Sequence, residues 1–163
     1  WSDFEGGDVM KAGRGFISTK HKPIDECEAA DTIDKHMYRG PSMYPVNDRR
    51  ISFLGEYGGL GHPVEGHLWK SSKDGKGNWG YGGIADTKTR EGLEKTYLDL
   101  LQKVEDYSKK GLAGAIYTQT TDVEIEINGL LTYDRKVFKY NSQVLKNAHE
   151  KLYKEAEKAA LAK

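Results

Sequence analysis

The chain has 163 residues, of which 37% are hydrophobic and 31% charged, enough for one domain with a modest core. Lys+Arg and Asp+Glu each number 25, so the formal net charge is zero, and no basic surplus favours a nucleic acid or an anionic membrane as partner. The apolar segments have the length of strands, well short of the roughly 20 residues that span a bilayer. The single Cys27 excludes an internal disulfide.

The first half of the chain predicts two strands separated by irregular segments. Residues 1–30 mix Gly, Lys and acidic residues without periodicity, which favours a loop or an insertion. Residues 31–38 predict a first strand, and 50–55 predict a second strand that ends among glycines. Residues 62–86 predict a long loop that carries three aromatic residues, and loops of this length are usually functional or mobile.

The second half predicts a helix, a strand and a second helix. Apolar residues recur at helical spacing over 87–110, and Gly111 follows two lysines as a stop signal. Residues 112–118 are small and apolar enough for a buried strand, and a second helix is predicted over 142–160. Strands that alternate with helices are typical of an α/β fold with a parallel sheet and right-handed crossovers.

Glu56 is the leading candidate for a reactive group. It closes the apolar run 51–54 and is followed by the glycines at 58 and 59. An ionised carboxylate at the end of a buried strand is costly unless it is paired, hydrogen-bonded or used in chemistry. In parallel α/β folds the active site lies at this end of the strands. The alternative is a structural Glu that accepts hydrogen bonds from the backbone of the glycine turn.

Three segments, in order, carry a family resemblance. They are Asp-Lys-His-Met-Tyr-Arg-Gly-Pro at 34–41, Leu-Gly-Glu-Tyr-Gly-Gly-Leu-Gly at 54–61, and 117–135, which begins Tyr-Thr-Gln-Thr-Thr-Asp-Val-Glu and ends Asn-Gly-Leu-Leu-Thr-Tyr-Asp-Arg. Together they resemble the end of the catalytic barrel of glycoside hydrolase family 2, which includes β-galactosidases and β-glucuronidases. The resemblance implies that residues 31–163 are the C-terminal portion of a (β/α)₈ barrel, a partial TIM barrel whose three strands match the sixth, seventh and eighth.

The resemblance also implies a function. Glu56 would be the nucleophile of a retaining β-glycosidase, a mechanism that needs two carboxyl groups about 5–5.5 Å apart and no cofactor. The family carries its acid/base Glu on the fourth strand, usually after Asn, and no Asn-Glu pair occurs in this sequence. We therefore expect a fragment that is inactive alone and needs the remainder of the barrel or a second chain. The alternative is a non-catalytic carbohydrate-binding or interaction module. Related enzymes imply a periplasmic or secreted location.

Seven further residues are expected at the sugar site: His36, Tyr38, Trp79, Tyr81, Tyr117, Gln119 and Glu124. His36 resembles a family histidine that points into the sugar site, and the last three follow or end the third strand. Tyr38 either orients a sugar or packs beneath the turn at 39–41. Trp79 and Tyr81, between glycines, either stack on sugar C–H faces or pin the long loop.

A metal site is a weaker possibility at the same rim. Asp122, Glu124 and Glu126 alternate in the sequence, and His62 and His67 precede them. This spacing matches no closed metal-binding loop, and the two histidines have no helix to align them. The sequence therefore predicts a solvated polar rim at these carboxylates rather than a metal centre.

Overall fold

The structure is a computed structural model that describes residues 2–4, 31–46, 48, 50–70, 77–82 and 87–162. The described elements are four strands and two helices: β1 (Ser2–Phe4), β2 (Thr32–Met37), β3 (Ile51–Gly58), α1 (Arg90–Ser108), β4 (Leu112–Thr118) and α2 (Ser142–Leu161). Neither of these two helices is long and apolar enough to cross a bilayer.

All strands pair in parallel, in the order β1-β2-β3-β4. The predicted parallel neighbours at 31–38, 50–55 and 112–118 are therefore confirmed, as is the α/β class. One expectation is wrong in part: residues 1–30 were predicted to be irregular, whereas Ser2–Phe4 pairs with β2 as a short edge strand. The remainder of that segment, residue 1 and residues 5–30, lies outside the described residues.

Helix α1 begins three residues later than predicted because Thr89 caps it. The Thr89 side chain accepts a hydrogen bond from the backbone N–H of Gly92 at 3.0 Å, which satisfies one of the free donors of the first turn. The helix ends at Ser108, before the predicted glycine stop. Its apolar stripe is buried and consists of Leu93, Tyr97, Leu100, Leu101 and Val104.

Helix α2 begins where the sequence predicts, because the side chain of Asn141 accepts hydrogen bonds from the N–H groups of Gln143 and Val144. Its buried residues, Leu145 and Leu152, join an apolar cluster that also contains residues of β3, β4 and α1. The helices and the two central strands therefore share one core, which fixes the end of β3 in space.

Aromatic side chains fill much of this core. The ring of Tyr117 lies 5.6 Å from that of Tyr57 and 4.9 Å from that of Tyr97, and its hydroxyl is 3.3 Å from that of Tyr140. Burial raises the pKa of Tyr117 to about 12. The same cause raises the pKa of the other three, so all four hydroxyls stay protonated at neutral pH.

Candidate active site at the end of strand β3

Glu56 lies near the carboxyl end of β3, where the sheet opens. Its side chain is 39% exposed, so the carboxylate reaches solvent while its backbone stays in the sheet. The chain turns directly after it through Gly58 at φ +83° and Gly59 at φ +59°, a conformation that glycine adopts without a steric penalty. The carboxylate is thus presented at the edge where α/β folds place their reactive groups.

Tyr38, just beyond the end of β2, holds the Glu56 carboxylate. Its hydroxyl donates to Oε2 of Glu56 and lies 2.9 Å from Oγ1 of Thr118 at the end of β4. A phenol has one hydrogen, so the Thr118 hydroxyl supplies the hydrogen of the second contact. Burial, and then the hydrogen bond to Glu56, raise the pKa of Tyr38. Tyr38 therefore remains a donor at neutral pH. Its two contacts connect the ends of β2, β3 and β4.

His36 lies between two carboxyl groups. Its Nδ1 is 3.1 Å from Oε2 of Glu56, and its Nε2 is 3.3 Å from Oδ2 of Asp34. The pairing of β2 with β3 places His36 opposite Glu56 because the register shifts between Lys35 and His36. The imidazole is therefore fixed beside the candidate nucleophile.

Asp34 is a buried member of the site. Its Oδ1 accepts the backbone N–H of Gly55 at 2.6 Å, and burial raises its pKa against the opposing effects of His36 and that N–H. A Cβ on Gly55 would lie 2.5 Å from both Asp34 oxygens, so a side chain there would displace the Asp34 carboxyl group. Asp34 thus contacts the residue immediately before Glu56.

A short row of aromatic rings leads away from Glu56. The ring of Tyr38 stacks on that of Tyr81, with centroids 4.0 Å apart and an interplanar angle of 10°. Trp79 meets Tyr81 edge-on at 5.6 Å and is 40% exposed. Tyr81 is therefore partly buried and packed against both rings, whereas Trp79 is exposed to solvent.

Three predicted site residues have other described partners. Tyr117 faces the aromatic core, where its hydroxyl accepts the backbone N–H of Leu60 at 3.1 Å. Gln119 donates to Glu126 and to Asn128, at 3.0 and 2.8 Å. Glu124 is exposed at φ +51°, within a turn closed by hydrogen bonds between Val123 and Glu126. The contacts described for these side chains do not include Glu56.

The prediction of a solvated carboxylate rim is wrong for Asp122. Its side chain is buried and lies 2.6 Å from Nζ of Lys139, which is also buried. The same Oδ1 accepts the backbone N–H of Gly129 at 2.8 Å. Asp122 fails to reach the rim because the chain after β4 folds back over it through 120–139.

The two histidines considered as metal ligands have other partners. Nδ1 of His62 lies 2.6 Å from the carbonyl oxygen of Thr87, and Nδ1 of His67 lies 2.8 Å from Oδ2 of Asp134. Within the part of the chain that the structure describes, no group of three or more His, Cys, Asp or Glu is arranged to hold a metal ion.

Sequence reasoning missed Asp34 and Thr118. A signal for Asp34 was present, since Asp34, His36 and Tyr38 alternate with a period of two and side chains at that spacing share one face of a strand. No comparable signal marks Thr118, because its contact with Tyr38 spans 80 residues.

No known family model matches the chain, and a comparison with curated proteins gives no match either. The assignment of a function to this site therefore depends on its geometry and on the resemblance of the three sequence segments.

Proposed function

We propose that this chain is the C-terminal portion of a retaining β-glycosidase barrel and that Glu56 is its nucleophile. In this proposal β2, β3 and β4 correspond to the sixth, seventh and eighth strands of a (β/α)₈ barrel. Their parallel order and the helical crossover from β3 to β4 are compatible with that assignment.

The observation that carries the proposal is the way the Glu56 carboxylate is held. It is accessible, and both of its described contacts, from Tyr38 and His36, go to Oε2. The hydrogen bond that Tyr38 donates orients the carboxylate, while the other oxygen, Oε1, is available to attack. A purely structural Glu at a strand end would instead be expected to turn into the backbone of the following turn.

The proposed reaction has two steps. Oε1 of Glu56 attacks the anomeric carbon, the bond to the leaving oxygen breaks, and a general acid gives that oxygen a proton, leaving a glycosyl ester on Glu56. A water that has lost its proton to the same acid/base group then attacks the anomeric carbon, releasing the sugar and the free carboxylate.

The acid/base group is not assigned to a described residue. Asp34 is unsuited because it is buried and already bonded to Gly55 and His36. We propose that the strands that complete the barrel supply this group. Among the described strands, β1 and β4 each pair on one side only, so each leaves an open edge for a further parallel strand from the rest of the barrel or from a second chain.

Trp79 is proposed as the sugar platform. A pyranose has an apolar C–H face, and burying that face against a half-exposed indole gives both affinity and orientation. The ring of Tyr81 stacks on that of Tyr38 and keeps the Tyr38 hydroxyl on Glu56. The substrate is therefore a carbohydrate that extends from Glu56 toward Trp79.

Covalent trapping tests the proposal. A 2-deoxy-2-fluoro aryl β-glycoside slows both steps of a retaining mechanism, but its activated leaving group needs little protonation, so the ester accumulates. The chain, alone and mixed with segments that complete the barrel, is incubated with a panel of such sugars and digested for mass spectrometry. We expect an adduct on Glu56. Saturable sugar binding with no adduct under any condition would instead identify a non-catalytic carbohydrate-binding module.

A further inference from the structure

Asp34 makes two contacts that converge on Glu56 from different directions. Oδ1 accepts the N–H of Gly55, the residue that precedes Glu56 in β3. Oδ2 lies 3.3 Å from Nε2 of His36, the ring that contacts the Glu56 carboxylate through its other nitrogen. One buried carboxyl group therefore contacts both the backbone next to Glu56 and the imidazole beside the Glu56 carboxylate.

The two contacts are separately constrained. The Gly55 N–H is a fixed backbone donor, so Oδ1 must be an acceptor. The Asp34 carboxyl group occupies the space that a side chain at Gly55 would need. With Oδ1 held in this way, Oδ2 faces Nε2. An ionised Asp34 has no hydrogen to donate, so Oδ2 then acts only as the acceptor of a hydrogen bond from Nε2.

We propose that Asp34 is a positioning residue that fixes the tautomer of His36. The ionised carboxylate requires a proton on Nε2, the nitrogen whose contact with it has the geometry of a hydrogen bond, and the neutral ring then carries no proton on Nδ1, 3.1 Å from Oε2 of Glu56. Among the described residues, the titratable groups in contact with the ring include Asp34 and Glu56, and the hydroxyl of Tyr38 contacts Oε2 of Glu56.

The tautomer can be measured directly on the chain. In a ¹⁵N-labelled sample, long-range ¹⁵N–¹H correlation spectra distinguish a protonated from an unprotonated imidazole nitrogen. The chain has five histidines, and His36 is assigned by the signal that a His36→Gln variant loses. At about pH 9, above the ordinary histidine pKa of about 6.5, we expect a protonated Nε2 and an unprotonated Nδ1.

Asp34→Asn should reverse this tautomer. The amide oxygen keeps the Gly55 N–H, which leaves the amide NH₂ facing Nε2 as a donor, so the ring must accept there and carry its proton on Nδ1. Asp31→Asn, an exposed position just before the same strand, is the matched control and should change nothing.

Either of two results would overturn the proposal: an Nδ1-protonated ring in the unmodified chain, or an unchanged tautomer in a folded Asp34→Asn variant. If that variant fails to fold, the spectrum of the unmodified chain decides. The catalytic meaning of Asp34 depends on the proposed function, but the tautomer is read without turnover. A Glu56 that proves dispensable for catalysis would therefore refute the glycosidase proposal while leaving the tautomer result standing.

Discussion

The hydroxyl of Tyr38 donates to the carboxylate of Glu56, although 18 residues separate them in the sequence. The contact exists because β2 and β3 are parallel and end at the same edge, with His36 opposite Glu56. Two adjacent strand ends thus supply the candidate nucleophile and the donor that orients it.

Tyr38→Phe removes that donor while preserving the stacking on Tyr81. A hydrogen bond to a charged group contributes about 1.5–3 kcal/mol, so we expect kcat in the assembled barrel to fall by roughly 10- to 100-fold with little change in KM. Thr118→Val, which removes only the second partner of the Tyr38 hydroxyl, is the control and should have a smaller effect. A change confined to KM would show that Tyr38 binds the sugar and does not orient Glu56.

Trp79→Ala should weaken sugar binding. The indole is exposed and adjoins Tyr81, and its loss removes the apolar face against which a pyranose would pack. Trp69→Ala is the matched control, because Trp69 is also exposed, at 49%, but contacts Tyr133 instead. Titration calorimetry with oligosaccharides measures the difference. Equal losses in the two variants would remove Trp79 from the proposed site.

Glu105 should make the free energy of unfolding depend on pH in the acid range. Its Oε1 lies 2.7 Å from Nζ of Lys109, and its Oε2 lies 2.9 Å from Nζ of Lys151. The second contact joins α1 to α2. These lysines lower the pKa of Glu105 from 4.5 to about 2. Because the folded pKa is the lower one, the stabilisation is complete above about pH 4.5 and is lost as the pH falls toward about 2.

We therefore expect Glu105→Gln to reduce the free energy of unfolding by about 1–2 kcal/mol at neutral pH, and the deficit to shrink between about pH 4.5 and 2. Urea denaturation across this range provides the measurement. Glu150→Gln breaks only an exposed pair with Lys146 and should have almost no effect. A deficit that stays constant with pH would show that the two lysines do not act through the charge of Glu105.

Lys139→Met tests the buried pair with Asp122. Removing one member leaves an uncompensated buried carboxylate, which typically costs about 3–5 kcal/mol. The double variant Asp122→Asn, Lys139→Met should recover part of that loss, because it contains no unpaired buried charge. Lys136→Met, at an exposed lysine, is the control. Unfolding free energies that are equal for the three variants would contradict the assigned pair.

The regular elements were predictable because local signals agree with the packing. Strand β4 begins and ends where the sequence predicts, at Leu112 and Thr118, since a helix stop precedes it and every residue before Tyr117 is small or apolar. The predicted start of α1, at residue 87, is too early because Thr89 caps the helix. Thr87 is buried, and its hydroxyl donates to the carbonyl oxygen of Gly61. The sequence alone does not show which of two threonines so close together caps the helix, because the contact between Thr87 and Gly61 is tertiary.

The candidate site was predictable only where a residue lies on a strand near its carboxyl end. Glu56 and His36 meet that condition, and Tyr38 follows directly. Gln119 and Glu124 lie in the irregular segment after β4, where turns and not strand alternation determine the direction of each side chain. Asp122 was misassigned for the same reason, because its partner Lys139 is 17 residues away in a segment without a strand or helix.

The most direct test of the central claim is the turnover of an aryl β-glycoside by the assembled barrel carrying Glu56→Gln. The amide is nearly isosteric with the carboxylate but cannot attack the anomeric carbon. Glu124→Gln, an exposed carboxylate in a turn after β4, is the matched control. We expect loss of turnover with retained fold for Glu56→Gln, partial rescue of Glu56→Gly by azide, and a mild effect of Glu124→Gln. Full activity in Glu56→Gln would contradict the central claim.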